Sequence, residues 1–194
     1  MSTDWNALTW LNPPRSAHAD PEGLHVTTGH ETDFWQKTYY GFHHDSGHFL
    51  HLARKGEFTV ETRFSGHYET LYDQAGLMVR HDENNWLKCG IEFTDGFCHL
   101  STVVTVDGSS DWSAFALEGI SGALDIRVSR LEDAMFVQYR VQPAGPWRMA
   151  RLAYFPPELE KLNVGVMACS PQRAGFKVVF HHFTVSDPVS RDIH

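Results

Sequence analysis

Apolar and polar residues alternate with a period of two through ten runs of the chain: residues 24–28, 49–54, 58–64, 74–80, 86–93, 99–106, 123–129, 135–141, 163–169 and 176–185. A period of two sends successive side chains to opposite faces of an extended strand, so the pattern predicts an all-β domain. Asp95-Gly96, Asp107-Gly108 and Ala144-Gly145-Pro146 punctuate the runs with hairpin or loop signals. The single helical expectation covers residues 158–161, where Pro156, Pro157 and early acids suit a helix N-terminus. An antiparallel strand set of this size must close into a barrel or stack in layers, and 194 residues suit a two-sheet antiparallel jelly-roll sandwich with one sheet curved into a cleft. No repeat, linker or compositional break divides the chain, so residues 1–187 read as one domain and 188–194 as a short tail.

The runs 74–80 and 86–93, joined by a turn at 81–85, are unlike an ordinary solvated hairpin. Ala75, Leu77 and Val79 share one face with Leu87, Cys89, Ile91 and Phe93, while Gln74, Arg80, Trp86, Lys88 and Glu92 take the other. An amide, a guanidinium, an indole, an ammonium and a carboxylate on one sheet face make an inventory fit for a ligand. Gly90 leaves open floor between the charges. The plain alternative is a polar cross-strand network on a solvated sheet.

Composition narrows the partners. Sixteen Lys and Arg against 24 Asp and Glu give a formal charge of −8, which argues against nucleic acid, because phosphate-backbone binding needs clustered cations. Cys89, Cys98 and Cys169 are odd in number, widely spaced and set within strand-like runs, so they read as buried thiols in a reducing compartment. The N-terminus has no signal-like segment, and no stretch approaches the roughly 18 apolar residues of a membrane helix. The expectation is a cytoplasmic protein with no membrane partner.

Five ordered blocks carry a further signal: residues 32–42 (TDFWQKTYYGF), 47–50 (GHFL), 74–93, 103–113 (VVTVDGSSDWS) and 164–180 (VGVMACSPQRAGFKVVF). Together they resemble the regulation-of-enolase-protein family, also called YesU-like, across residues 11–183. The resemblance implies a domain of unknown function with a concanavalin A-like lectin/glucanase fold. Fold relatives of that kind bind or cleave carbohydrates, but a fold does not fix a function.

The favoured reading is a cleft that binds a small carbohydrate or sugar acid. Trp86 and Trp35 would offer stacking surfaces, Gln74 and Glu92 would orient hydroxyls, and Lys88 with Arg63 would attract an anionic group. An enzyme alternative uses Glu92 as acid/base with Lys88 or Glu61 as partner, although the chain lacks the Glu-x-Asp-x-Glu strand of this fold's glucanases, and glycoside cleavage ordinarily takes two carboxyls. An interaction alternative buries Trp35, Tyr39 and Tyr40 against a metabolic enzyme such as enolase or a second copy of the chain. Trp112 reads as a packed strand start or a rim contact, and Arg173 as a loop residue or an anion contact at the cleft edge. His44, Asp45 and His48 are weighed as metal ligands, but no metal is assigned. Phosphate-loop and dinucleotide motifs are missing, so no cofactor is expected.

Overall fold

The computed structural model of the chain describes residues 3–118, 120, 123–189 and 191. Of the expected tail, residues 190 and 192–194 lie outside these. In chain order the strands are β1 (Thr9–Leu11), β2 (Ser16–Asp20), β3 (Gly23–Thr27), β4 (Phe34–Gln36), β5 (His43–Asp45), β6 (His48–Lys55), β7 (Phe58–Gly66) and β8 (Gln74–Arg80). There follow β9 (Trp86–Thr94), β10 (Phe97–Val106), β11 (Ser109–Ala116), β12 (Ala123–Leu131), β13 (Ala134–Arg140), β14 (Arg148–Tyr154), β15 (Lys161–Cys169) and β16 (Lys177–Ser186). The helical content among the described residues is one 3-10 turn, Trp5–Ala7, with the Asp4 carboxylate accepting from the Asn6 N–H.

Two antiparallel seven-stranded sheets carry the fold, as the alternation predicts. One runs β1-β6-β15-β8-β9-β10-β11 and the other β14-β13-β12-β7-β16-β3-β2. Their facing sides form the main core: Leu77, Val79, Leu87 and Ile91 from the first sheet meet Val60, Phe64, Ile126 and Val128 from the second. Every one of these side chains is withdrawn from water, and at roughly 25 cal/mol per Å² such burial is the main force holding the layers together.

A smaller apolar cluster on the opposite side of the first sheet decides where a ligand could sit. Phe49, Met78, Trp86, Val103 and Met167 point away from the main core, and Phe34 covers them from a two-stranded ribbon, β4-β5, that crosses this face. The middle of the sheet is thus dry on both sides, and all seven residues of β8 are buried. Glycines permit the close approaches. A Cβ at Gly47 would lie 2.2 Å from the Phe34 ring, and one at Gly90 would lie 2.0 Å from the Ala75 carbonyl oxygen of the neighbouring strand.

The helical expectation at residues 158–161 fails. Pro157 and Glu158 form a turn, and Lys161 already opens β15. The buried Arg130 guanidinium donates to the carbonyls of Leu159 (2.6 Å) and Pro157 (3.1 Å), taking acceptors that a helix would use internally.

Candidate functional site

Register places the polar residues of β8 and β9 as the alternation requires. Gln74 lies opposite Glu92, Met78 opposite Lys88, and Arg80 opposite Trp86. The ribbon divides this row into two environments. At the Arg80–Trp86 end the sheet is sealed; at the Gln74–Glu92 end it stays open.

At the sealed end, Arg80 makes a two-pronged contact with Asp45, at 2.8 and 2.9 Å, tying β5 to β8. Asn12 holds the same segment from the other side by donating to the carbonyls of Asp45 (2.7 Å) and Gly47 (3.0 Å). Trp86 has no solvent exposure; its ring packs near Phe34, and its indole N–H donates to the Glu83 carbonyl. The expected stacking role for Trp86 is therefore corrected, since the ring belongs to the sheet–ribbon core.

At the open end lies a cavity of about 240 Å³. Gln74, Lys88 and Glu92 form its floor with Asp33, which the chain leading into the ribbon delivers from above. Lys88 Nζ donates to Asp33 Oδ1 at 3.0 Å and to the Phe34 carbonyl at 2.7 Å. Burial works against this ammonium, but the Asp33 and Glu92 carboxylates outweigh it and leave its pKa raised. Gln74 completes the cluster by donating to Asp33 Oδ1 at 3.5 Å and the Tyr72 carbonyl at 3.3 Å.

Glu92 sits in a different setting. Burial raises its pKa against the opposing pull of Lys88 and Ser101. The Trp112 indole donates to Ser101 Oγ at 3.0 Å, and that hydroxyl donates to Glu92 Oε2 at 2.8 Å. Between Lys88, Gly90 and Glu92 a recess of about 10 Å³ extends below the floor, close to the space one water needs.

Aromatic rings make the walls. Trp35, Tyr40 and Phe42 rise from the ribbon and Trp112 from β11. Trp35 and Tyr40 meet edge to face at 5.7 Å, while Tyr40 and Phe42 stack at 5.5 Å. The Trp35 indole donates to the Thr38 carbonyl, which fixes the ring at the ribbon tip. Trp35 is half-buried, part support for the second apolar cluster and part cleft wall. Gln172 and Glu31 close the remaining side. Arg173 positions that loop by gripping the fully buried Asp73 and the Glu69 carboxylate, rather than reaching the cleft as an anion contact.

The structure separates other expected members from this site. Arg63 lies on β7 in the second sheet and binds Asp125 at 3.0 Å. Glu61, on the same strand, faces Arg140 and His182, each at 3.9 Å. Period two showed their face but not their sheet, so neither is a partner for Lys88 or Glu92. Asp33 supplies the second carboxylate instead. Its sequence signal was weak, a lone acid before a short strand, because its importance comes from how the ribbon folds back.

The histidine run does not converge on a metal. His48 Nε2 accepts from the Gly29 N–H and its Nδ1 donates to the Asn12 carbonyl, Asp45 is held by Arg80, and His44 lies on the cavity wall. The charge of the cleft also differs from expectation: Glu31, Asp33 and Glu92 accompany one ammonium, Lys88, which is already bound to Asp33. That balance disfavours a sugar acid.

Comparisons with known proteins give a consistent picture. The family model described as "Protein of unknown function (DUF1349)" matches residues 10–188. The chain is 41% identical over 193 residues to "Regulation of enolase protein 1" of Saccharomyces cerevisiae, covering 100% of this chain and 96% of that one. The crystal structure of a functionally unknown protein from Saccharomyces cerevisiae superposes with a TM-score of 0.90 at 41% identity, over 97% of this chain and 100% of that chain. Carbohydrate binding module CBM66 from Bacillus subtilis shares the fold, with a TM-score of 0.59 at 12% identity over 92% and 95% of the two chains.

Proposed function

Because the chain belongs to the family described as protein of unknown function (DUF1349), whose name leaves the ligand open, we propose that this member holds a single neutral sugar ring in the open end of its cleft. The observation that carries the reading is the union of aromatic walls with a fixed polar floor around about 240 Å³. That volume is below the roughly 300–1,000 Å³ of drug-sized sites and suits one ring. Trp35 and Trp112 offer apolar faces to C–H groups; Asp33, Gln74 and Glu92 offer acceptors and a donor to hydroxyls. The name of the Bacillus subtilis neighbour adds support for carbohydrate as the ligand class.

Ligand-detected NMR tests this with neutral hexoses, uronic acids and sugar phosphates in parallel. Neutral hexoses should bind, uronic acids should bind at least several-fold more weakly, and Gln74→Ala should lose the hexose signal. A folded wild-type chain that binds none of them overturns the proposal.

A second reading makes the chain a carbohydrate-active enzyme with Glu92 as general acid, favoured by the burial that raises its pKa. Turnover abolished in Glu92→Gln with hexose affinity retained would establish it. A regulatory contact with enolase, suggested by the yeast relative's name, would use the ribbon tip, where Tyr39 is 93% exposed. Purified enolase should then bind the wild type and lose affinity for Tyr39→Ala. Among the described residues no helix is long and apolar enough to cross a membrane.

A further inference from the structure

On the second sheet, β2 and β3 form a hairpin that brings His18, Asp20 and His25 together. His18 and His25 are direct cross-strand partners. Their imidazole rings stack with centroids 4.7 Å apart and planes 6° from parallel. Asp20 ends β2, and its Oδ1 accepts from the backbone N–H groups of Glu22 (2.8 Å) and Gly23 (3.2 Å). This turn fixes the carboxylate and presents Oδ2 to His25 Nε2 at 3.0 Å. His25 Nε2 is shielded from solvent and lies outside hydrogen-bond geometry with any partner. One potential ligand atom from each of the three residues falls within 4.8 Å of the others.

The hairpin has a firm inner support. β3 pairs with β16 from Leu24 to Thr27, and Gly23 approaches that strand so closely that a Cβ there would lie 2.1 Å from the Phe180 carbonyl oxygen. His25 and Asp20 are thus placed by a packed strand and a hydrogen-bonded turn. His18 is exposed on β2, the outermost strand of the sheet, and keeps rotational freedom.

We propose that His18, Asp20 and His25 form a surface site for a borderline divalent transition cation such as Zn²⁺. Two imidazole nitrogens and one carboxylate oxygen match the ligand preferences of zinc, nickel and copper(II), whereas Ca²⁺ and Mg²⁺ favour shells of oxygen. Metal–ligand lengths of about 2.0–2.2 Å require ligand atoms to draw together to roughly 3.3 Å. Rotation of the exposed His18 side chain supplies that movement. Water fills the remaining coordination positions, as at other three-ligand sites.

The test uses the full chain freed of metal by chelation, with Zn²⁺ titrated calorimetrically and followed through the ¹⁵N resonances of the imidazole side chains. The first equivalent should shift His18 and His25 before the remaining histidines, and Mg²⁺ should shift neither. His18→Ala and Asp20→Asn should each weaken that equivalent by more than tenfold. Asparagine keeps the Oδ1 acceptor for the turn, and both variants should melt close to the wild type, which separates loss of a ligand from loss of fold. Unchanged Zn²⁺ affinity in both variants, or a first equivalent located at other histidines such as His43 and His44, overturns the proposal.

Discussion

Glu92 combines near-complete burial with a single strong donor, Ser101, and a lysine whose charge is shared with Asp33. Its folded pKa stands above the ordinary 4.5 because burial penalises the carboxylate more than these partners favour it. Between those two values the folded chain retains a proton that the unfolded chain has released. Stability from this group is therefore full at low pH and declines as pH rises through the folded pKa. Glu92→Gln removes that titration while keeping an oxygen for Ser101. Urea unfolding from about pH 4 to about pH 7 should show the variant gaining on the wild type as pH rises; parallel profiles would contradict the assignment. At this scale the sequence revealed Gln74, Lys88 and Glu92 as one face, because adjacent antiparallel strands preserve alternation. It misassigned Trp86, since alternation tells which side a ring takes but not whether another element covers it.

The β4-β5 ribbon is the element that converts a sheet face into a cleft. Its strands have three residues each, too few to show a period, and most of the contacts holding it come from elsewhere in the chain. Arg80 grips Asp45, Lys88 takes the Phe34 carbonyl, and Ser110 Oγ accepts from the Gln36 N–H. Asp45→Asn should lower the free energy of local opening by about 1–3 kcal/mol, because the buried guanidinium loses its charged partner. Hydrogen exchange checks this: amides in residues 34–45 should exchange faster while those of β8 and β15 keep their protection. Uniform acceleration through both sheets would mean that the ribbon does not open separately. Other strands hid from the alternation for related reasons. β2 is exposed along its whole length and β14 along most of it, so neither shows a regular buried face. The long strands at 74–80 and 86–93 were legible because their apolar sides serve the main core.

Across the whole molecule, the all-β sandwich follows from patterning, but sheet membership does not. Arg63 and Glu61 lie on a strand whose alternation resembles that of the cleft strands, and only long-range pairing assigns it to the other layer. The same pairing makes β1, a three-residue strand, the outer guard of β6. Trp10 packs against the main core and Leu11 against the smaller cluster. Removing residues 1–12 should expose β6 as a long edge with buried apolar neighbours, a surface prone to pairing with another copy. Sedimentation velocity should then show association increasing with concentration, whereas a monomer at every concentration would contradict this role. The cleft draws Asp33, Gln74, Lys88, Glu92, Trp112 and Gln172 from distant parts of the chain, so a ligand that fits it recognises the assembled sandwich and no fragment of it. Its binding energy is consequently added to the unfolding free energy of the entire domain, about 2.7 kcal/mol at a hundredfold excess over Kd. The melting temperature of the unlabelled protein thereby becomes a ligand detector, able to sort a chemical library before any activity is known.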